Sequence, residues 1–363
     1  MNLYKSLIFI LYLGIFLGSG FRTPAQSRDS ITLYGTLDTV QVIRQRIQHA
    51  NEANAGARVT HISPAILQAN KTRSLAELLT DHTSIYIKSL GTGALSTASF
   101  RGTSASQTRV NWNGINITPP LSGTFDFSQI PVFFTDNINL YYGSSHVKNG
   151  TGAIGGSVNL FTDTDWNRGV NGRVLAEYGS YNTYTVGGQA NISGNKSASK
   201  TRLYYQHSDN DYTYLNKVLT NTPFREKRQD AAYSQFGIMQ EGYFRVSPYT
   251  RLTAVAWYQK NHRNLPQPLG VVNRSQEDQE ENNFRGYAGL DFSRGIHELH
   301  VKAAWLYFCQ TYDIRYDGGL FDPKGNKNRS NTAQVVADYT YSPTDKLILN
   351  TTLTYSHDLI RVS

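Results

Sequence analysis

Apolar and polar residues alternate with a period of two along most of the chain beyond Trp166. In the two clearest stretches, 170–178 and 184–192, an apolar or small residue occupies every second position. The same pattern recurs at 203–205, 236–246, 252–258, 288–292, 299–307, 333–341 and 347–355. A period of two places alternate side chains on opposite faces of a β-strand. The pattern therefore predicts about nine strands, each with one face suited to lipid and one suited to water.

The connections between these segments alternate in length. The short ones lie at 247–250, 294–296 and 342–345, and the long polar ones lie at 208–233, 260–283 and 310–331. One further tight link, at 180–182, falls on the side of the long connections. Short turns at one end and long loops at the other are typical of outer-membrane β-barrels, whereas a soluble sandwich would show connections of mixed length.

The residues before the alternating segments have the composition of a small α/β domain. Residues 63–67 begin like a helix, and Ser74 followed by Glu77 predicts an N-terminal capping box for a helix at 74–79. Short β-segments are predicted at 85–87, 98–101, 109–112, 138–141 and 157–160. Asn113 and Gly114 predict a tight turn between two of the strands.

The N-terminus has the features of an export signal. Lys5 precedes an apolar run at 7–17, and small or turn-forming residues continue to Ala25. We therefore predict a signal peptide at 1–26, which is too short to span a membrane. Residues 27–50 form an extension with one β-prone patch, at 38–43. This patch either adds a strand to another protein's sheet edge or is the first strand of the domain that follows.

Composition narrows the class of protein further. Only 39% of the residues are hydrophobic, and 24 tyrosines accompany 2 methionines, a balance that suits a membrane β-barrel. Cys309 is the single cysteine, so no disulfide forms within the chain. The formal charge of +8 is spread along an exported chain, which favours solvated loops over nucleic-acid binding.

Enzyme chemistry is not predicted. The nine histidines lack metal-ligand spacing, and the sequence contains no Gly-x-Ser-x-Gly motif. The glycine-rich stretch at 152–156 lacks the lysine and the helix of a phosphate-binding loop, so its glycines more simply permit close backbone packing. We expect no catalytic residues and no bound cofactor.

Five short motifs occur in the same order as in TonB-dependent outer-membrane receptors, which the chain resembles over about residues 45–363. Residues 74–79 are similar to that family's early plug helix, and Phe100, Arg101 and Gly102 resemble its isoleucine-arginine-glycine strand. Three further plug motifs are matched by residues 110–114, 138–143 and 150–160. Two departures stand out: Asn113 replaces an aspartate, and Tyr142 replaces a basic residue that would join a plug-to-barrel ion pair.

The resemblance implies a mainly β protein with an N-terminal α/β plug domain inside a transmembrane antiparallel β-barrel. The implied domains are the signal peptide at 1–26, the extension at 27–50, the plug at 51–163 and the barrel at 164–363. Barrels that enclose a plug have about 22 strands, whereas the alternating pattern predicts about nine here. The expectation is therefore an incomplete barrel, from a truncated or fragmentary product of a longer gene.

The implied function is active uptake of a scarce, bulky ligand across the outer membrane of a Gram-negative bacterium. TonB, with its inner-membrane energising complex, would supply the energy, and the ligand would be cobalamin-like or a metal chelate such as a siderophore. Residues 95–107 and 126–131 are most similar to the vitamin B12 branch of the family. The alternatives are a surface protein that binds without transporting, such as an adhesin or glycan binder, a non-functional receptor fragment, and an outer-membrane hydrolase.

The resemblance also assigns candidate site residues. The candidate TonB box comprises Asp38, Thr39, Val40, Gln41, Val42 and Ile43. The candidate plug core and lock comprises Arg101, Gly102, Gly143, Gly155 and Gly156. The candidate ligand contacts are Ser104, Ala105, Ser106, Gln107, Thr118, Pro119, Pro120, Leu121 and Ser122, which otherwise serve only as hydrogen-bonded turns. Arg101 is expected to be the principal buried cation of the plug, unless it lies on the surface.

Four acidic residues in the predicted outer loops offer oxygen ligands of the kind that Ca²⁺ prefers. They are Asp209, Asp211, Glu277 and Asp278. Their spacing matches no defined calcium loop, so they either bind Ca²⁺ weakly or form a solvated charged surface.

Overall fold

Two β-sheets make up most of the structure, a computed structural model that describes residues 58–143, 152–218, 222–269, 275–316, 324–344 and 347–363. All of these residues belong to one unit, His49–Ser363. The predicted signal peptide, the extension with its candidate TonB box, and the start of the predicted plug at 51–57 lie outside the described residues.

The smaller sheet belongs to the region predicted as the plug, here called the plug (residues 58–161). Its five strands are β1 (Arg58–His61), β4 (Thr108–Trp112), β5 (Ile115–Asn116), β6 (Asn137–Tyr142) and β7 (Gly156–Phe161). Their spatial order is β1-β6-β7-β4-β5, with β4 and β7 parallel and the other pairs antiparallel. A separate hairpin pairs β2 (Tyr86–Ser89) with β3 (Ser96–Ser99). The β-segments predicted at 109–112, 138–141 and 157–160 are confirmed, and those at 85–87 and 98–101 are confirmed in part, because residues 85, 100 and 101 lie outside β2 and β3.

Two helices pack on the plug core, α1 (Pro64–Ala69) and α2 (Leu75–His82). The predicted capping box of α2 is confirmed: the Glu77 amide donates to Ser74 Oγ at 3.3 Å, and the Ser74 amide donates to Glu77 Oε2 at 2.8 Å. These bonds satisfy two amides that no helical carbonyl reaches. They also orient the apolar face of α2, where Leu75, Leu78 and Leu79 are buried.

Removing the capping hydroxyl from Ser74 should destabilise the plug. We expect Ser74→Ala to lower the free energy of unfolding by about 1 kcal/mol, because the Glu77 amide loses its acceptor. Ser74→Asp, which keeps a capping oxygen, should stay close to wild type. The comparison uses urea unfolding followed by tryptophan fluorescence. Equal losses in the two variants would contradict a capping role.

The predicted turn at Asn113 and Gly114 is confirmed, and the Asn113 side chain also bonds to another segment of the plug region. Their φ angles of +50° and +85° form a tight turn in which Trp112 pairs with Ile115. The Asn113 side chain bonds twice to Thr162, accepting from its amide at 2.9 Å and donating to its hydroxyl at 3.0 Å. An ionised aspartate has no donor for the hydroxyl. The Thr162 hydroxyl can donate as well as accept, so an aspartate at position 113 could also bond to it, with the hydroxyl as the donor.

The larger sheet contains nine antiparallel strands in chain order. They are β8 (Gly169–Gly179), β9 (Thr183–Ser193), β10 (Ser197–Ser208), β13 (Tyr233–Ser247), β14 (Thr250–Asn264), β15 (Ser275–Arg294), β16 (His297–Tyr316), β17 (Lys324–Thr344) and β18 (Leu347–Val362). Each predicted alternating segment lies in one of these strands, so the prediction of about nine is confirmed. A small hairpin of β11 (Thr213–Asn216) and β12 (Phe224–Lys227) lies between β10 and β13.

The long connections are shorter than predicted, which corrects two of them. Strand β14 continues to Asn264 and β15 begins at Ser275, while β16 and β17 likewise extend into 310–331. The ladder continues through this polar sequence, for example from Glu277 to Ile314. Backbone pairing needs no apolar side chain once neighbouring strands have fixed the register. Composition alone therefore overstated the length of these loops.

The large sheet has an inner face against the plug and an outer face away from it. Along β13, Met239 and Glu241 are buried on the inner face, while Phe236, Ile238 and Phe244 are exposed on the outer face. This alternation is the two-faced pattern predicted from the sequence. Neither helix among the described residues is long and apolar enough to cross a membrane.

Candidate functional site between the plug and the large sheet

One carboxylate of the plug meets two cations of the large sheet. Asp136 Oδ2 lies 3.0 Å from Lys200 Nζ and also accepts from Arg202. Arg202 lies 3.3 Å from Glu241, and both of these side chains are fully buried. Arg202 also donates at 3.2 Å to the carbonyl of Phe133, so its guanidinium connects the large sheet to the plug. Because an unpaired buried charge is costly, these groups hold one another in place. We call them the ionic lock.

Local sequence explains why Asp136 occupies this position. A short 3-10 turn (Val132–Phe134) ends two residues earlier, and β6 begins at Asn137. Asp136 also accepts from the amide of Asp163 at 2.9 Å, which ties the ionic lock to the segment leading into β8. Burial alone would raise the pKa of Asp136, but the charges of Arg202 and Lys200 lower it to about 2.

A buried lysine of the plug supports the same turn. Lys71 is 8% exposed and donates to the carbonyl of Thr135 at 2.5 Å and to that of Val132 at 3.4 Å. Burial lowers the pKa of Lys71 to about 8, with Asp136 acting in the opposite direction. Lys71 therefore fixes the backbone from which Asp136 projects.

A second polar contact joins the plug to β14. Asp126 Oδ1 accepts from the amides of Ser96 and Ser128, both at 3.0 Å, while Oδ2 lies 2.7 Å from Arg263. One carboxylate thus connects β3, a 3-10 turn (Phe127–Gln129) and the inner face of the large sheet. Next to it, Asn261 donates to the side chain of Gln129 at 3.0 Å.

Aromatic rings fill the seam between these two polar contacts. The plug contributes Trp112, Phe133 and Phe134, and the large sheet contributes Tyr204, Trp257 and Tyr287. Trp112 and Phe134 have ring centroids 5.4 Å and 5.3 Å from that of Trp257. Offset and edge-on ring pairs at these distances are favourable. Met239, Val255 and Val336 of the large sheet belong to the same buried cluster, so apolar contacts as well as the two polar ones hold the plug.

A cavity of about 210 Å³ lies between the plug and β14–β17, near the ends of the strands that carry the long connections. We call it the apex cavity. On the plug side, four of the five predicted ligand-contact residues in 118–122 line it, namely Thr118, Pro119, Pro120 and Ser122. The fifth, Leu121, is 39% exposed and is not part of the lining. Polar side chains of the inner face form the opposite wall.

The other predicted ligand-contact segment lies elsewhere. Its members are Ser104, Ala105, Ser106 and Gln107, and none of them lines the apex cavity. The Ser104 amide donates to Gln107 Oε1 at 3.1 Å, and the Gln107 carbonyl accepts from the amide of Gly155 at the same distance. The structure therefore does not bring the two predicted segments together at this cavity.

The prediction that Arg101 is the principal buried cation of the plug is wrong. Arg101 is exposed, has a φ of +49°, and lies 5.9 Å from the centroid of the Tyr142 ring. Arg101 and Gly102 both have positive φ and form a tight turn. Lys71 is a buried cation of the plug, and the cations that pair with Asp136 are Lys200 and Arg202 of the sheet.

The predicted lock glycines permit close contacts inside the plug. A Cβ on Gly155 would overlap the side chain of Thr103, and a Cβ on Gly156 would overlap the Tyr141 carbonyl and the Phe100 ring. Gly102 and Gly143 both have φ of +79°, which favours glycine. These four glycines shape the plug backbone and are not part of the ionic lock.

The four candidate calcium ligands do not form one group. Asp209 bonds to Asn182 at 3.1 Å, and Asp211 pairs with Lys227 at 2.6 Å. Glu277 and Asp278 lie in β15, which corrects their predicted place in a loop. Among the described residues, no group of three or more His, Cys, Asp or Glu side chains is arranged to hold a metal ion.

The ionic lock was missed because its members are far apart in sequence. Strand β10 has Lys200, Arg202 and Tyr204 at alternate positions. This alternation is the sequence feature that predicts a row of polar side chains on the inner face. Their partner Asp136 lies more than sixty residues earlier, in a turn without distinctive composition. A single sequence does not reveal that pairing.

Residues 51–157 match the TonB-dependent receptor plug domain. Over these residues, the chain carries the plug domain of the TonB-dependent receptor family. The vitamin B12 transporter BtuB of Photobacterium profundum is 32% identical over 135 residues, which cover 37% of this chain and 22% of that protein. The aligned region thus covers less than a quarter of that relative's length.

Solved receptor structures share the fold at much lower identity. The FrpB iron transporter from Neisseria meningitidis has a TM-score of 0.67 at 13% identity, covering 84% of this chain and 49% of that one. The ferric-catecholate import receptor Fiu from Escherichia coli has a TM-score of 0.64 at 11% identity, covering 83% and 49%. The chain spans about half the length of these receptors. At such identities, the likeness bears on the fold alone.

Proposed function

We propose that this chain is the plug and the first part of the barrel of a TonB-dependent uptake receptor in the outer membrane of a Gram-negative bacterium. Its ligand is a scarce, bulky solute, cobalamin-like or a metal chelate. The plug closes the pore, the candidate TonB box at 38–43 receives the pulling force through strand addition, and no covalent chemistry is involved.

The ionic lock is the observation that carries this proposal. Asp136 of the plug is held by Lys200 and Arg202 of the wall, next to an apolar cluster that includes Val255, Trp257 and Val336 of the wall. The polar contacts exchange for water with a small net change in free energy, because water satisfies both partners once they separate. A plug held in part by such contacts is stable at rest and is displaced by an applied force, as a gate requires.

The choice of ligand rests on the sequence match to vitamin B12 transporters. That match reaches 32% identity over 135 residues, whereas the iron receptors share only the fold. Cobalamin is therefore the first ligand to test, and a ferric siderophore is the second.

The test is TonB-dependent uptake by the receptor of which this chain is the plug and the first part of the barrel. We expect a Gram-negative host without its own cobalamin receptor to import radiolabelled vitamin B12 when it carries that receptor and TonB, and to lose uptake without TonB. Val40→Pro should abolish uptake but keep surface binding, because proline removes a backbone donor from the candidate TonB box. Val40→Ala is the matched control.

Three outcomes would contradict the proposal. Uptake that continues without TonB excludes an energised receptor. Surface binding without uptake, in the wild-type chain with TonB present, favours a binding protein such as an adhesin or glycan binder. Absence of the chain from the outer membrane excludes both functions.

A further inference from the structure

The guanidinium of Arg202 lies between two carboxylates that belong to different parts of the molecule. It donates to Asp136 of the plug, and its Nη2 lies 3.3 Å from Glu241 Oε1 of the large sheet. The side chains of Arg202 and Glu241 are both 0% exposed. Because Arg202 and Glu241 lie on the paired strands β10 and β13, a displacement of the plug removes Asp136 and leaves these two residues together.

The contact between Arg202 and Glu241 is incomplete in this structure. Among the described residues, Arg202 Nε and Glu241 Oε1 are both buried and have no hydrogen-bond partner. The other nitrogens of Arg202 donate to Asp136 and to the carbonyl of Phe133. A guanidinium and a carboxylate readily form two parallel hydrogen bonds, and buried polar atoms are normally paired. The two unused atoms therefore indicate a bidentate pair that does not form while Asp136 holds Arg202.

The large sheet itself holds Glu241 beside both cations of the ionic lock. The Tyr243 hydroxyl donates to Glu241 Oε2 at 2.5 Å, which leaves Oε1 for Arg202. Lys200 pairs in register with Glu241 across β10 and β13. Such cross-strand neighbours have Cβ atoms about 4.5–5.5 Å apart. The position of Glu241 is thus set by strands of the wall and does not depend on the plug.

The charges of the ionic lock show what a pair of Arg202 and Glu241 would do. With the plug in place, Lys200 and Arg202 are balanced by Asp136 and Glu241. Once Asp136 withdraws, Glu241 offsets the repulsion between the two cations in a poorly solvated site. Glu241 also repels Asp136 while the plug is in place. Both effects lower the free energy needed to separate Asp136 from the wall.

We propose that Glu241 is a positioning residue of the gate: it takes over the guanidinium of Arg202 when Asp136 withdraws, through the Arg202 Nε and Glu241 Oε1 atoms that are unused in the closed state. The ionic lock thus exchanges one carboxylate for another and leaves no buried arginine unpaired when the plug moves. This exchange makes opening easier and keeps Arg202 in a defined position for reclosure. The inference rests on the proposed function, in which the plug is displaced from the wall, and it names the residue that regulates the displacement.

The test measures opening of the ionic lock by hydrogen–deuterium exchange in outer membranes that contain the receptor carrying this chain. The Asp163 amide donates to Asp136 at 2.9 Å, so its exchange rate reports how often Asp136 is released. We expect Glu241→Gln to slow this exchange about tenfold, because the guanidinium of the lock loses its alternative partner. A residue that only neutralised the closed cluster would give the opposite sign. Glu280→Gln is the matched control and should exchange as wild type does, since Glu280 pairs with Lys260 at 2.9 Å and not with the lock.

A milder variant acts on the same carboxylate. Tyr243→Phe removes the hydroxyl that holds Glu241 Oε2 and makes Glu241 more available to Arg202, so exchange at Asp163 should become about threefold faster. The Tyr243 hydroxyl also lies 3.5 Å from Thr162 Oγ1, which offers a second route for such an effect. The double variant separates the two routes. If Tyr243 acts through Glu241, Tyr243→Phe has no further effect once Glu241→Gln is present.

The outcomes separate this inference from the proposed function. Slower exchange in Glu241→Gln, faster exchange in Tyr243→Phe and no further change in the double variant support the exchange of partners. Faster exchange in Glu241→Gln, or unchanged exchange in both single variants, overturns it. If Glu241→Gln does not fold, Tyr243→Phe decides alone, by faster exchange or its absence. These readouts need no transported ligand, so a receptor that shows the supporting pattern but imports no vitamin B12 contradicts the proposed function alone.

Discussion

Asp136→Asn should lower the free energy of unfolding of the plug by about 3 kcal/mol, since removing one partner from a buried ion cluster leaves uncompensated charge. Arg202 would then keep only the fully buried Glu241 as an ionic partner, and Lys200 would keep only the carbonyl of Asp163. Asparagine keeps the shape of the side chain, so the loss reflects charge and not packing. Urea unfolding followed by tryptophan fluorescence reports the change, because Trp112 and Trp257 lie in the plug seam.

The control is an exposed ion pair on the same chain. Asp165 lies 3.2 Å from Arg168, and both side chains are 66% exposed. We expect Asp165→Asn to stay within about 0.5 kcal/mol of wild type, because water screens such pairs. A similar effect of the two substitutions would contradict a structural role for the ionic lock.

Acid should remove the contribution of Asp136 within a defined range of pH. The pKa of Asp136 is lowered from 3.8 to about 2 in the folded protein, so its stabilising effect is fully present above about pH 4. As the pH falls from 4 to 2, the folded carboxylate takes up its proton and the effect is lost. The difference in stability between wild type and Asp136→Asn should therefore shrink over this range. A constant difference would show that the charge of Asp136 is not responsible.

The second large effect is expected for Phe134→Ala, which should lower the free energy of unfolding by about 3 kcal/mol. Phe134 is 1% exposed, and its ring packs against Trp257 and Tyr204 of the large sheet. Truncation removes this apolar surface and leaves a cavity in the seam. The emission of Trp257 should shift to longer wavelength as water enters. Unfolding by urea measures the change in stability.

The Phe134 ring also leaves no room for a side chain at Gly237. A Cβ on Gly237 would lie 2.6 Å from Phe134 Cζ, so Gly237→Ala alone should destabilise by about 1–3 kcal/mol. In the Phe134→Ala background the added methyl group has room, and the second substitution should be nearly neutral. Gly188→Ala, where a Cβ meets no atom within 4 Å, is the control. Additive losses in the double variant would contradict direct packing between these two positions.

The fold was predictable wherever neighbours in sequence decide local structure. The capping box of Ser74 and Glu77 involves residues three apart, and the turn at Asn113 and Gly114 needs only their tolerance of positive φ. The nine strands follow from side-chain alternation, which burial of one face imposes in the middle of the sheet, whereas β8 and β18 contain no buried residue. These signals lie within about ten residues, so a single sequence contains them.

The site was less predictable because its members come from distant segments. Arg101 belongs to a family motif, yet it is exposed, while the buried cations that pair with Asp136 are Lys200 and Arg202. Asn283 lay within a stretch predicted as a loop, but the ladder of β15 makes it part of the cavity wall. Which polar residues face the plug depends on strand register, and the register is fixed by pairing across the whole sheet.

The sequence by itself determined a plug with a capped helix, followed by nine two-faced strands, because helix capping and β-alternation act over a few residues. Only the tertiary structure decided which charges meet at the ionic lock and which neutral groups line the apex cavity. The physical reason is that a buried charge or amide is tolerated only where a distant segment brings its partner. Lys200 and Arg202 have that partner in Asp136, which lies more than sixty residues earlier in the chain.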